Sequence, residues 1–143
     1  MSERIIVRQN KDSQIGFWTV DPNGSDSEEY HPVHALYELT PYGLMLVSLA
    51  SCTAQVVFSY AQYHEVALDE IELHMAYERV YGKDCDDCEN IDQYEEEIHE
   101  RIKFGGEKLS DAEKEKLFRI AHQCPIDKMF RHGIEIRSEL DQG

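Results

Sequence analysis

A chain of 143 residues is read as one domain, long enough to bury a core and too short to split comfortably into two. Hydrophobic residues make up 41% and charged residues 30%, the balance of an ordinary globular protein. The net charge of −15 argues against nucleic acid or an anionic membrane as a partner, since both reward clusters of Lys and Arg. The N-terminus, MSERIIVRQNKDSQ, is charged almost at once and lacks the apolar run of a secretory signal. The expected location is cytoplasmic, where four cysteines are more often free, catalytic or metal-bound than structural disulfides.

Arg4 to Gln9 and Ile15 to Val20 read as two short strands of β-branched and aromatic residues. The polar turn Asn10-Lys11-Asp12-Ser13 would join them into an antiparallel hairpin. Asp21-Pro22-Asn23-Gly24 is a turn signal, and a polar loop continues to Glu29. Tyr30 to Leu39 shows no clear period and reads as a short extended lead into the next element. It carries His31, His34 and Glu38. A His-x-x-His spacing can hold zinc, but Pro32 stands between the two and no cysteine or carboxylate set completes it, so a solvated loop is the better reading.

Thr40 suits a helix N-cap and Pro41 the first helical position. From Leu44 to Ala61 no residue is charged, and apolar or small side chains fall on every side. A helix apolar all round is a buried one. The run is short for a bilayer and is interrupted by Ser48, Ser51, Thr53, Gln55 and Ser59, so it reads as the central core helix. Cys52 lies in its middle. Its neighbours Ala50, Ser51, Thr53 and Ala54 are small enough to let another backbone or a small substrate reach the sulfur.

Beyond the helix, Ile71, Leu73, Met75, Tyr77 and Tyr81 alternate with Glu72, His74 and Glu78, the period of a half-buried strand within Leu68 to Tyr81. Glu95 to Phe104 supplies a partner, with Ile98, Ile102 and Phe104 on one face and Glu97, His99, Arg101 and Lys103 on the other. The loop between them, Gly82 to Asp92, holds Cys85 and Cys88. That C-x-x-C could be an accessory thiol pair or half of a metal site, but its second half is missing and the aspartates around it oppose thiolates. An acidic loop is the plainer reading. Ser110 and Glu113 form a capping box, and the helix they open puts Leu117, Ile120, Ala121 and Cys124 on one stripe until Pro125 blocks it. Gly133 to Leu140 alternates again and reads as a final strand.

Cys52 and Cys124 both fall on apolar helix faces in a domain with one core. Taken alone, each could be no more than a small buried hydrophobe. The local strings say more. Leu46-Val47-Ser48-Leu49-Ala50-Ser51-Cys52-Thr53-Ala54 in an uncharged helix, then Ala121-His122-Gln123-Cys124-Pro125-Ile126, resembles the OsmC/Ohr family of thiol-dependent peroxidases, from Leu44 through Leu140. The resemblance implies an α+β fold in which antiparallel sheets wrap a buried central helix, built as an intertwined homodimer. It implies that Cys52 attacks the O–O bond of an organic hydroperoxide and becomes a sulfenic acid. Cys124 would then close a Cys52–Cys124 disulfide, which a dithiol reductant resets, with no cofactor.

A thiol in apolar surroundings ionises poorly unless a positive charge stands by. The family supplies an arginine from the N-terminal strand region, held by a glutamate about ten residues before the cysteine. Here that position is Tyr42, which cannot hold an arginine by ion pairing, and the second strand contains no arginine. Arg8, Arg119 or Arg131 would have to approach from another direction. Two function classes follow: a two-cysteine hydroperoxide reductase, or a non-catalytic relative that binds a small ligand or senses redox state.

Overall fold

Period-two patterning makes the sheet two-sided. In β1 (Ser2–Asn10), Glu3, Ile5 and Val7 are buried while Arg8 is exposed on the opposite side. The computed structural model describes residues 2–20, 29–81 and 94–143; the turn at Asp21–Gly24 and the Cys85/Cys88 loop lie outside them. β1 pairs with β2 (Ile15–Thr19) as the expected hairpin and, on its other edge, with β4 (Glu70–Tyr81). β4 pairs in turn with β5 (Tyr94–Gly105), and a two-residue β3 (His31–Pro32) closes the far edge. The result is a five-stranded antiparallel sheet in the order β3-β2-β1-β4-β5, an α+β fold.

The central helix α1 (Pro41–Tyr63) starts as its sequence demands, with the Thr40 hydroxyl accepting from the Gly43 N–H at 3.1 Å and proline in the first turn. It buries Gly43, Leu46, Leu49, Ala50, Thr53, Ala54, Val57, Phe58 and Ala61, one continuous stripe, against Ile5, Val7, Ile71, Leu73, Met75 and Tyr77 of the sheet. The all-round apolar character suggested burial on every side. Within one chain this is not so: Leu44, Ser48, Gln55, Ser59 and Tyr63 form an open stripe on the face away from the sheet.

Ser110 and Glu113 close the expected capping box, each side chain bonded to the other's backbone N–H at 3.1 Å, and α2 (Asp111–Ala121) packs Leu117, Ile120 and Ala121 inward. A further helix, α3 (Pro125–His132), follows at once. The final strand expected at Gly133–Leu140 is absent within the chain. Gly133, at a φ of 80°, ends α3, and Ile134, Ile136 and Leu140 are 62, 82 and 82% exposed with no strand beside them among the described residues.

Glu3 breaks the apolar register of β1. It sits opposite Tyr77, is 2% exposed, and neither carboxylate oxygen has a hydrogen-bond partner among the described residues. Burial pushes its pKa up, and the nearby Thr40 hydroxyl offsets this only in part. The folded protein therefore keeps a proton that the unfolded chain releases above the ordinary value of 4.5, so stability present in acid is lost as pH rises towards the folded pKa. Glu3→Gln removes that ionisation. It should stabilise the protein at pH 8 by about 1–3 kcal/mol and by less near pH 4, measured as paired thermal melts. A difference independent of pH would mean that the carboxyl has found a charged partner.

Candidate active site

Cys52 lies on α1 at the margin between the buried stripe and the open one, and is half-buried. Cys124 is wholly buried, and both thiols are free. The two side chains meet within hydrogen-bonding reach of each other. The sequence pattern placed Cys124 on the last turn of α2, with Pro125 as a stop. Instead α2 ends at Ala121, and Cys124 is the N-cap of α3 with Pro125 as its first residue. Proline serves both as a terminator and as a first-turn residue. The signals that decided between them were Asp127 in the first turn, Arg131 and His132 in the last, and Gly133 just beyond.

That placement changes the electrostatics of the second thiol. Burial raises the pKa of Cys124, and the adjoining Cys52 thiol raises it further. The backbone N–H groups of Asp127 and Ile126, at the positive end of α3, pull the other way, as does the Thr53 hydroxyl. Cys124 closes no full capping bond in the thiol form. Thr53 Oγ1 donates to the Leu49 carbonyl at 2.9 Å, so it would have to turn to serve a sulfur anion.

None of the three arginines weighed from sequence supplies a charge to the buried thiol. Arg8 faces away from α1, over the Trp18 ring at 5.0 Å, and pairs with Glu70 and Glu72. Arg119 is exposed on α2. Arg131, on the same short helix as Cys124, places Nε 3.0 Å from both oxygens of Asp127. Tyr42 does hold an arginine after all, but by other means. Its hydroxyl accepts from Arg79 of β4, whose guanidinium lies 5.5 Å from the Tyr42 ring centre, and the ring stacks on Tyr77 at 4.6 Å. Glu38 serves its own turn, accepting from the His34 and Ala35 N–H groups, while His31 and His34 are exposed.

Tyr42, Met45 and Leu49 share the face of α1 that leads down to Cys52, three and four residues apart. With Ile98 of β5 and Phe130 of α3 they line a cleft of about 500 Å³. Glu96, Glu100, Asp127 and Arg131 give it polar points. It stops at Leu49 and Asp127, about one helical turn short of each sulfur. A larger hollow of about 800 Å³, bordered by His74, Arg101 and Phe118, lies at the β5 edge and includes neither cysteine.

The family model of OsmC-like proteins matches residues 34–139, a span that contains α1, both cysteines and the cleft. The chain belongs to the OsmC-like family. Comparison with curated proteins gives no match. Among solved structures, this OsmC-like protein is similar to an OsmC-like hydroperoxide resistance protein from Jannaschia sp. CCS1, at 15% identity and a TM-score of 0.61, covering 99% of this chain and 95% of that one. It is also similar to the organic hydroperoxide resistance protein OhrB of Bacillus subtilis, at 14% identity and a TM-score of 0.50, covering 97% of each. At such identities the likeness establishes the fold.

The unequal burial of the two thiols is measurable. With Cys85 and Cys88 changed to serine, the native OsmC-like protein should take one alkyl group, at Cys52, when treated with iodoacetamide near neutral pH. Cys124 should react only after unfolding. Equal labelling in a mass-spectrometric time course would contradict the enclosed position of Cys124.

Proposed function

We propose that this protein is a two-cysteine, thiol-dependent peroxidase that reduces organic hydroperoxides. The observation that supports it best is the pair of free thiols within hydrogen-bonding reach of each other, about one helical turn from a cleft lined by apolar and charged side chains. Cys52, the more accessible, is the attacking thiol. Its thiolate takes the outer peroxide oxygen, the O–O bond breaks, and an alcohol leaves a Cys52 sulfenic acid. Cys124 then attacks Cys52, releasing water and forming the disulfide, and a dithiol reductant in the cytoplasm restores both thiols by exchange. The apolar lining of Tyr42, Met45, Leu49 and Phe130 favours a peroxide with an organic group over hydrogen peroxide. The solved relatives are named for hydroperoxide resistance, in keeping with this reading.

The test is oxidation with tert-butyl hydroperoxide. One equivalent should join Cys52 to Cys124 and no other pair, Cys52→Ser should abolish peroxide consumption, and Cys124→Ser should stop at a trappable sulfenic acid. Turnover should be slow, because the arginines that could have activated the attacking Cys52 are engaged elsewhere, Arg8 with Glu70 and Glu72 and Arg131 with Asp127. The second reading, a ligand-binding or redox-sensing relative, rests on that same feature. It is selected if hydroperoxide leaves Cys52 unmodified.

The functional unit we propose is a homodimer. The open stripe of α1 and the exposed Ile134, Ile136 and Leu140 are surfaces that a second copy would cover. Sedimentation at micromolar concentration should give twice the chain mass; a single species at monomer mass rejects the dimer.

A further inference from the structure

Three carboxylates reach the cleft beside the cysteines, and two have partners. Glu96 accepts from the Tyr77 hydroxyl at 2.6 Å, and Asp127 accepts from Arg131. Glu100 is the third, and no hydrogen bond or ion pair ties it to another described residue. It stands on β5 opposite the buried Met75, in the register of Ile98 and Ile102, and so on the side of the sheet that carries α1. The charged groups that bear on it are Asp127 and Arg131 of α3 and His122 at the end of α2; Met45 and Leu49 of α1 and Met75 of β4 are uncharged. Burial first, then the Asp127 charge, push its pKa up, and His122 and Arg131 offset this only in part. A carboxyl held in this way keeps its proton closer to neutral pH than an exposed one does.

We propose that Glu100 is the general acid of peroxide cleavage, giving its proton to the alkoxide that leaves as Cys52 attacks the O–O bond. The inference rests on the peroxidase reading above. Displacement at a peroxide oxygen is in line, so sulfur enters on one side and the alkoxide leaves on the other. Because the cleft begins about one helical turn from the thiols, the departing oxygen and its organic group lie inside it. Glu100 is the carboxyl there that no other side chain occupies. In the balanced step, the Cys52 thiolate forms an S–O bond to the outer oxygen, and the O–O electron pair passes to the inner one. Glu100 protonates that oxygen to give the alcohol. Sulfur is oxidised by two electrons and the peroxide reduced by two, and the carboxylate regains a proton from solvent at the cleft mouth.

The leaving group provides the test. An alkyl hydroperoxide expels a strongly basic alkoxide that needs a proton, whereas a peracid expels a stable carboxylate that does not. Single-turnover oxidation of Cys52 is measured with tert-butyl hydroperoxide and with peracetic acid, in the full chain carrying serine at positions 85 and 88. Glu100→Gln should slow the alkyl hydroperoxide reaction about 100-fold and leave the peracid rate unchanged, which also shows that the site is folded. Glu100→Asp should recover part of the alkyl hydroperoxide rate. Equal losses with both oxidants, or a loss with neither, overturn the role of Glu100. A parent protein whose Cys52 reacts with neither oxidant overturns the peroxidase reading, and this inference falls with it.

Discussion

The seating of α1 on the β1–β4 side of the sheet fixes the position of every other group discussed above. Two periods meet at that contact. Every second residue of β1 and β4 points at the helix, and every third or fourth residue of α1 points back. Leu46, Val57, Ile5, Ile71, Leu73 and Met75 are all almost fully enclosed, and each such side chain contributes roughly 1.5–3 kcal/mol on burial. Small residues set how close the helix comes. A Cβ on Gly43 would stand 3.1 Å from a Glu3 oxygen and 3.3 Å from Leu39, so this end of α1 lies against β1 with no room to spare. The rotation so imposed turns Thr53 inward and leaves Cys52 at the margin, half-buried.

A sulfur anion at Cys124 would form in surroundings that oppose it. The sheet and helices around Cys124 take away water, and the chain carries a net charge of −15. What the fold offers in return is dipolar rather than ionic: the first-turn N–H groups of α3 and one hydroxyl. Partial charges of this kind act within the first turn and are screened little in a dry site. Arg79 is held at the N-terminal end of α1 by the Tyr42 and Tyr77 hydroxyls, ten residues of helix before Cys52, where its charge serves the tyrosines.

The sheet was legible because period two survives even in a strongly charged chain. The hairpin, the β4–β5 pair and the Ser110 capping box all follow from local pattern, and the structure carries each of them. The approach of Cys52 and Cys124 did not follow from spacing, since 72 residues of separation permit any distance. It came from likeness to a family. Helix α3 was missed because proline was given one of its two meanings. Glu100 was missed for a subtler reason. The apolar face of β5 was read from Ile98, Ile102 and Phe104, and the charged residue lying in that same register was passed over. A charge in an apolar register is itself a signal, and Glu3 among Ile5 and Val7 shows it a second time.

Those two carboxyls separate a structural burden from a usable acid. They lie on the same side of the same sheet, and burial raises both pKa values. Glu3 is buried between β1, Leu39 and the start of α1, where only the Thr40 hydroxyl offsets the burial, and it lines neither cleft. Against a typical stability of about 5–15 kcal/mol, an unsatisfied buried group of about 1–3 kcal/mol is a substantial loss with no chemistry attached to it in the single chain. Glu100 opens on the cleft, where a substrate can take its proton and solvent can replace it. Its neighbours also divide the work. Arg131 pairs with Asp127, yet the Asp127 charge still bears on Glu100 and, after burial, helps to hold its proton. The pairing of Asp127 thus matters to Glu100 as well as to α3, since the short helix that begins at Cys124 also brings Asp127 and Arg131 to the cleft that Glu100 lines.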